Sequence, residues 1–207
     1  MRRLLAAFAA GALLAVAACT SERTAAIEGL QGAKLVPPQP KHDFTLEDTD
    51  GKPFHFAADT RGNVTLLYFG YTKCPDICPL HLANIATALK QMEPQDQSRV
   101  KVIFVTTDPM RDTPEVLRAW LNNFDKRFIG LRGSLDSVNT IQSEFGLAPA
   151  SMEEMDHSMH AGAANYAVGH AAQVLGFSAD DSLRTMYLSG FGVSEWVNDL
   201  PKLARIR

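Results

Sequence analysis

The chain of 207 residues has only three cysteines and no strong excess of charge of either sign. Twenty Lys and Arg residues stand against 23 Asp and Glu residues, which gives a net charge of −3. A nucleic-acid-binding surface needs a concentrated excess of basic side chains, so we expect no nucleic-acid partner. The sequence also shows no internal repeat. We therefore expect one domain of ordinary size.

The apolar run at the start of the chain is too short to span a bilayer comfortably. It extends from Leu4 to Ala18 and follows Met1-Arg2-Arg3, a pattern typical of a secretory signal. It ends in Val16-Ala17-Ala18-Cys19, which resembles the lipobox cleaved by signal peptidase II. This pattern predicts that Cys19 becomes a lipidated N-terminus. A plain signal peptide that leaves Cys19 as an unpaired thiol is the alternative.

Three segments follow from this reading of the N-terminus. Residues 1–18 are assigned to a lipoprotein signal peptide, and residues 19–41, rich in Ala, Gly, Pro and Gln, to a flexible tether. Residues 42–207 are assigned to the folded domain. The protein is accordingly expected in the bacterial cell envelope, held on a membrane by its lipid and facing the periplasm or, more generally, the extracytoplasmic side.

Alternating and apolar runs predict an α/β domain with a central mixed sheet flanked by helices. Residues 44–46 and 53–56 indicate an N-terminal β-hairpin across Asp50-Gly51, and residues 173–177 and 183–188 indicate a second hairpin. The runs at 63–69 and 100–106 have the length and β-branched content of buried parallel strands. Helices are expected from Pro79, over 113–124, over 134–145, and from about Ser194 with an interruption near Pro201.

Cys74 and Cys78 lie between a predicted buried strand and a predicted helix. We place Cys78 at the N-cap before Pro79, where the helix N-terminus should stabilise its thiolate and lower its pKa. A spacing of four brings two side chains to one side of a helix or turn. The spacing alone leaves a disulfide, a redox-active pair and a metal site open.

A third ligand would decide between these alternatives. His170 lies directly before the predicted strand at 173–177, in a position that faces the cysteine loop if the sheet is thioredoxin-like. From spacing alone, a histidine without any metal is the default interpretation.

Three motifs resemble those of the Sco/SenC copper proteins. They are YFGYTKCPDICP at residues 68–79, TDPMRDTP at 107–114 and FDKRFIGL at 124–131. The resemblance covers roughly residues 44–203. It implies a thioredoxin-like fold in which Cys74, Cys78 and His170 bind copper.

The resemblance also implies a copper chaperone that supports assembly of the CuA centre in subunit II of cytochrome c oxidase. A periplasmic copper donor and a thiol reductant would be further partners. Two thiolates and an imidazole suit Cu(I) and can hold Cu(II) with a further ligand. The competing interpretation is a thiol-disulfide oxidoreductase that reduces the cysteines of the copper acceptor. A peroxiredoxin-like peroxidase is disfavoured because Tyr71 stands where its threonine is expected.

A second cluster of metal-ligating side chains lies in the long polar segment from residue 148 to residue 165. Thioethers and imidazoles suit Cu(I), so this cluster is a candidate auxiliary copper site, although packing methionines in a solvated insertion explain it as well. The cluster consists of Met152, Met155, His157, Met159 and His160.

Replacing Cys19 tests the lipidation prediction. Cys19→Ser should abolish acylation, because signal peptidase II substrates are modified on this thiol, and should leave an uncleaved precursor or a soluble form. Mass spectrometry of the wild-type N-terminus provides the measurement. A mature N-terminus without acyl chains would contradict the lipobox prediction.

Overall fold

A computed structural model describes residues 27–154 and 166–206, which form a mixed sheet with helices on both faces. The sheet has eight strands in the order β1-β10-β9-β4-β5-β6-β2-β3, and β7 and β8 form a separate two-stranded ribbon. Within these residues, no helix is both long enough and apolar enough to cross a membrane. The signal peptide and Cys19 lie outside the described residues.

The ten strands have the following bounds: β1 Ala33–Pro40, β2 Thr45–Asp48, β3 Pro53–His55, β4 Val64–Gly70, β5 Val100–Thr106, β6 Ile129–Arg132, β7 Ser151–Glu154, β8 Tyr166–Gly169, β9 Val174–Phe177 and β10 Ser182–Tyr187. The helices are α1 Phe56–Asp59, α2 Ile77–Gln91, α3 Pro94–Gln97, α4 Pro114–Leu121, α5 Leu135–Glu144 and α6 Val193–Arg205. The mixed sheet, its flanking helices and the β2–β3 hairpin confirm the predicted fold class.

Strand β4 lies at the centre of the molecule, and all seven of its residues are buried. It pairs in parallel with β5 and antiparallel with β9. Successive side chains of a strand point to opposite faces, so β4 contributes to two cores. Leu66 and Tyr68 belong to the cluster that packs under α2, α4 and α6. Leu67 and Phe69 belong to the cluster that includes α1 and α5.

Local sequence signals explain where two of the helices begin. The hydroxyls of Thr113 and Ser134 accept hydrogen bonds from the backbone N–H groups of Val116 and Ser137, which caps α4 and α5. Gly146, with φ of +69°, follows α5 in the left-handed conformation that glycine adopts without strain. These positions agree with the predicted bounds.

The N-terminal segment differs from its prediction. The prediction of a flexible tether up to residue 41 is wrong for residues 27–40, since Ile27 and Leu30 are buried and β1 pairs with β10. Apolar side chains drive this docking. The prolines of β1, which cannot donate backbone hydrogen bonds, fit the edge position that β1 occupies. Residues 19–26 lie outside the described part of the chain, where the tether remains a prediction.

Asp199 of α6 fixes the start of this docked segment. Its fully buried carboxylate accepts hydrogen bonds from the backbone N–H groups of Gln31, at 2.9 and 3.0 Å, and Gly32, at 3.0 Å. The backbone of Gly32 approaches the Thr185 side chain so closely that only glycine fits, because a Cβ there would lie 2.1 Å from Oγ1 of Thr185. A buried charge is tolerated when donors surround it, and here two backbone N–H groups and the side-chain amide of Asn198, at 2.6 Å, supply them.

Lys41 fixes the other end of β1. Its ammonium group donates to Asp181 at 2.7 Å and to the Thr60 hydroxyl at 3.0 Å, and only 3% of its side chain is exposed. The same group lies 5.4 Å from the centre of the Phe177 ring, within cation–π range. β1 is therefore held at both ends by buried polar contacts.

Two helix predictions need correction. α2 begins at Ile77 rather than Pro79, with Asp76 at its N-cap, so Cys78 lies inside the first turn. α6 continues through Pro201 without interruption. Proline removes one backbone hydrogen bond, and here the burial of Trp196, Leu200 and Leu203 against the core keeps the helix continuous.

Asp199→Asn tests the docking of the N-terminal segment. The amide keeps the shape of the side chain but places an NH2 group where a backbone N–H now donates, so the free energy of unfolding should fall by about 2 kcal/mol. Hydrogen exchange over residues 27–40 should become faster. Glu144→Gln, which changes an exposed carboxylate near the end of α5 in the same way, is the matched control. An unchanged denaturant midpoint in Asp199→Asn would show that the carboxylate does not hold the segment.

Candidate metal centre

Cys74, Cys78 and His170 meet at the C-terminal end of β4. Cys74 lies in the loop after β4, Cys78 in the first turn of α2, and His170 directly after β8. Because β9 runs antiparallel to β4, with Val174 opposite Tyr68, the loop that enters β9 lies where β4 ends. The sheet topology thus brings together residues that are 92 positions apart.

One ligand atom from each of these three residues lies within 4.8 Å of the other two. The Cys78 sulfur is 3.4 Å from Nε2 of His170 and 3.4 Å from the Tyr68 hydroxyl. Cys78 is fully buried, Cys74 is 8% exposed and His170 is half-buried. Both cysteines are free thiols. A small ion could therefore reach the three ligands from the side of Cys74 and His170.

Close packing fixes the position of the Cys78 sulfur. A Cβ on Gly70 would lie 2.7 Å from this sulfur, well inside van der Waals contact. Gly70 and Tyr68 are two residues apart in β4 and therefore face the same side of the sheet. The Cys78 sulfur therefore lies against the backbone of Gly70 and the hydroxyl of Tyr68. Neither residue was predicted as part of the site, although a tyrosine and a glycine at the end of an apolar strand mark the place.

The two thiols differ in acidity, and in the opposite sense to the prediction. A hydrogen bond from the Cys78 thiol, together with donors that include the Cys78 backbone N–H at 3.4 Å, lowers the pKa of Cys74 to about 4. Burial raises the pKa of Cys78, so the predicted stabilisation of its thiolate by the helix N-terminus is wrong. The helix N-terminus acts on Cys74 instead, because the N–H of Cys78 points to that sulfur.

The ring of His170 is oriented by its second nitrogen. Nδ1 lies 3.1 Å from the carbonyl oxygen of Ala171, which can only accept, so Nδ1 is the nitrogen that donates there, and Nε2 faces the Cys78 sulfur at 3.4 Å. The Tyr71 ring meets the imidazole edge to face at 5.5 Å. The Arg111 guanidinium lies 5.8 Å from the centre of the Tyr71 ring. Such support of a ligand's orientation is typical of metal-binding histidines.

A buried carboxylate anchors the cysteine loop to the neighbouring strand. Asp112 accepts hydrogen bonds from the Thr72 backbone N–H at 3.0 Å, the Thr72 hydroxyl at 2.6 Å and the Thr106 hydroxyl at 2.6 Å. This residue was not predicted as part of the site. The signal in the sequence is an aspartate in the polar run that follows a buried strand.

Two other aspartates lie near the site. Asp108 is buried and forms an ion pair with Arg111. Asp76 is exposed, and its backbone N–H, rather than its carboxylate, contributes to the low pKa of Cys74.

The candidate auxiliary site lies almost wholly outside the described residues. Met155, His157, Met159 and His160 fall between β7 and β8, in the part the structure does not describe. For Met152 the structure gives the backbone only, paired with Val168 in the β7–β8 ribbon. Copper binding by this segment stays a prediction.

The three-ligand set suits a soft, exchangeable ion. Thiolate sulfur favours Cu(I), and the imidazole can serve either copper valence. Structural zinc sites are almost always closed by four protein ligands, whereas the described residues bring three together here.

Alkylation of the metal-free protein tests the asymmetry of the thiols. Cys74 should react with iodoacetamide at a rate that changes less than about threefold between pH 5 and pH 8, because its thiolate is fully formed above the lowered pKa. Cys78 should stay unmodified. In urea both thiols should lose reactivity roughly tenfold per pH unit below the ordinary pKa of about 8.5. Equal labelling of both thiols in the folded protein, followed by peptide mapping, would contradict the asymmetry.

Comparison with known proteins places this site in a family. The SCO1/SenC family model matches residues 33–205. An SCO2-like protein of Rickettsia typhi is 36% identical over 129 residues, which cover 62% of this chain and 60% of that protein. The match to mitochondrial SCO2 of Saccharomyces cerevisiae covers 34% of that protein. The chain thus spans about a third to three fifths of the length of these curated relatives.

Solved structures agree with the sequence match. The solution structure of apo Sco1 from Thermus thermophilus has a TM-score of 0.71 and 34% identity, and covers 83% of this chain and 95% of that one. Copper-bound ScoI of Bradyrhizobium japonicum has a TM-score of 0.66 and 27% identity, and covers 79% of this chain and 99% of that one. The fold is thioredoxin-like, as the sequence predicted, and the chain belongs to the SCO1/SenC family.

Proposed function

We propose that this protein is a copper chaperone that binds copper through Cys74, Cys78 and His170 and supports assembly of the CuA centre of cytochrome c oxidase. The observation that carries the proposal is the convergence of two thiols and an oriented imidazole within 4.8 Å of one another. A related structure, that of Bradyrhizobium japonicum ScoI, has copper bound. Subunit II of the oxidase is the acceptor that membership of the family suggests.

The geometry supports transfer of copper rather than permanent storage. Cys74 is the more exposed thiol and is a thiolate at neutral pH, so an incoming acceptor thiolate can compete for the metal on that side. Cys78 is buried and would keep its contact longest. Three protein ligands leave room for a ligand of the acceptor. Lipid attachment through Cys19 would keep this exchange at the periplasmic face of a membrane.

Copper titration of the full chain and its variants tests the proposal. Cys74→Ser, Cys78→Ser and His170→Ala should each weaken binding by more than the roughly 10–100-fold that loss of an outer-shell partner costs. Circular dichroism should stay unchanged. His55→Ala, which removes an exposed imidazole at the end of β3, is the matched control and should bind copper normally. Normal copper affinity in His170→Ala would remove that residue from the site.

A second candidate function rests on the asymmetry of the thiols. An accessible thiolate beside a buried thiol is the arrangement of a thiol-disulfide oxidoreductase: Cys74 attacks an acceptor disulfide and Cys78 resolves the mixed disulfide. Both thiols end as a disulfide, and the acceptor gains two electrons and two protons as two thiols. His170→Ala separates the functions, because it should lose copper binding and keep this exchange.

A further inference from the structure

Tyr68 places a hydroxyl group where the rest of the strand is closed to water. All seven residues of β4 are buried, and Tyr68 itself is completely inaccessible. On the same face of the sheet, Leu66, Leu82 and Phe104 belong to the same apolar cluster as Tyr68. A buried hydroxyl without a partner costs free energy, so its partner matters.

The partner of this hydroxyl is a proposed metal ligand. Among the described residues, the hydroxyl of Tyr68 makes one hydrogen bond, to the sulfur of Cys78 at 3.4 Å. A tyrosine hydroxyl carries its proton at neutral pH, since its ordinary pKa is about 10, so here it acts as the donor to the sulfur. A metal-bound thiolate retains lone pairs that can accept such a bond.

The Tyr68 ring is held in place from three sides. Its centre lies 5.6 Å from that of Phe104, 5.4 Å from that of His81 and 6.4 Å from that of His170, each in an edge-to-face arrangement. On the same face of β4, the Cys78 sulfur occupies the space that a Cβ at Gly70 would fill. The hydrogen bond is therefore built into the core rather than formed by a mobile surface side chain.

A hydrogen bond to a thiolate withdraws electron density from sulfur. Cu(II) gains more than Cu(I) from a strongly donating thiolate, and hydrogen bonding around a cysteine sulfur is one of the ways in which proteins tune copper sites. We propose that Tyr68 is a positioning residue that acts through Cys78, weakening its donation and shifting the preference of the site from Cu(II) towards Cu(I). This inference rests on the proposed function and adds a determinant of metal valence to it.

Tyr68→Phe in the full chain tests the inference, since it removes the hydroxyl and keeps the ring. The sulfur-to-Cu(II) charge-transfer absorption should move to lower energy, because the sulfur electrons are no longer stabilised. The ratio of Cu(I) to Cu(II) affinity, measured by chelator competition, should fall on the order of tenfold. Tyr187→Phe is the matched control. It removes a hydroxyl from another fully buried tyrosine, which packs against Phe191 and Trp196, and should change neither quantity.

A second substitution keeps the test decisive if Tyr68→Phe does not fold. 3-Fluorotyrosine at position 68 is a stronger donor of nearly the same size, so the absorption and the affinity ratio should both shift in the opposite direction. If the wild type binds copper normally and the folded variants show an unchanged absorption energy and affinity ratio, the role of Tyr68 is overturned and the proposed function stands. A wild-type protein that binds no copper would overturn the proposed function, and the inference with it.

Discussion

The burial of the Cys78 sulfur against the end of β4 is the constraint on which the site depends. The sulfur lies in the interior because Gly70 has no side chain, and α2 can begin close to the strand for the same reason. Burial then keeps the proton on Cys78, and the hydrogen bond that this proton makes leaves Cys74 as the thiolate. One close contact therefore sets both the geometry and the electrostatics of the pair.

Buried carboxylates hold the surrounding loops by a shared principle. Asp112 gathers donors from the cysteine loop and from the end of β5, and Asp199 gathers the backbone of the N-terminal segment. Neither relies on an exposed ion pair, which would contribute little. Each carboxylate thus attaches an irregular segment to a neighbouring strand or helix by accepting hydrogen bonds from that segment's backbone N–H groups.

Much of the fold was predictable, because its signals are local. The runs that became β4 and β5, the caps Thr113 and Ser134, and the turn at Asp50-Gly51 are all read within a few residues. The three candidate ligands were predicted from family motifs and strand order. Three features were not predicted, because each depends on residues brought together by tertiary packing: the docking of β1, the acidity of Cys74 and the contacts of Tyr68. The predicted shift of the Cys78 pKa has the wrong sign because it considered the helix N-terminus and not desolvation, which depends on depth in the core.

If Cys19 carries a lipid, the docked N-terminal segment limits how far the domain can move from the membrane. Ile27 already belongs to the core, and it follows Cys19 by only eight residues. Fully stretched, eight residues span at most roughly 28 Å, about the width of a small domain. With the lipid on Cys19, the candidate copper ligands would stay within a short distance of the bilayer surface. The short linker would then keep the effective concentration of membrane-bound acceptors high. The pairing of β1 with β10 then determines the length of the linker between lipid and domain. Loss of this pairing would lengthen the linker by more than ten residues and lower the effective concentration of the acceptor.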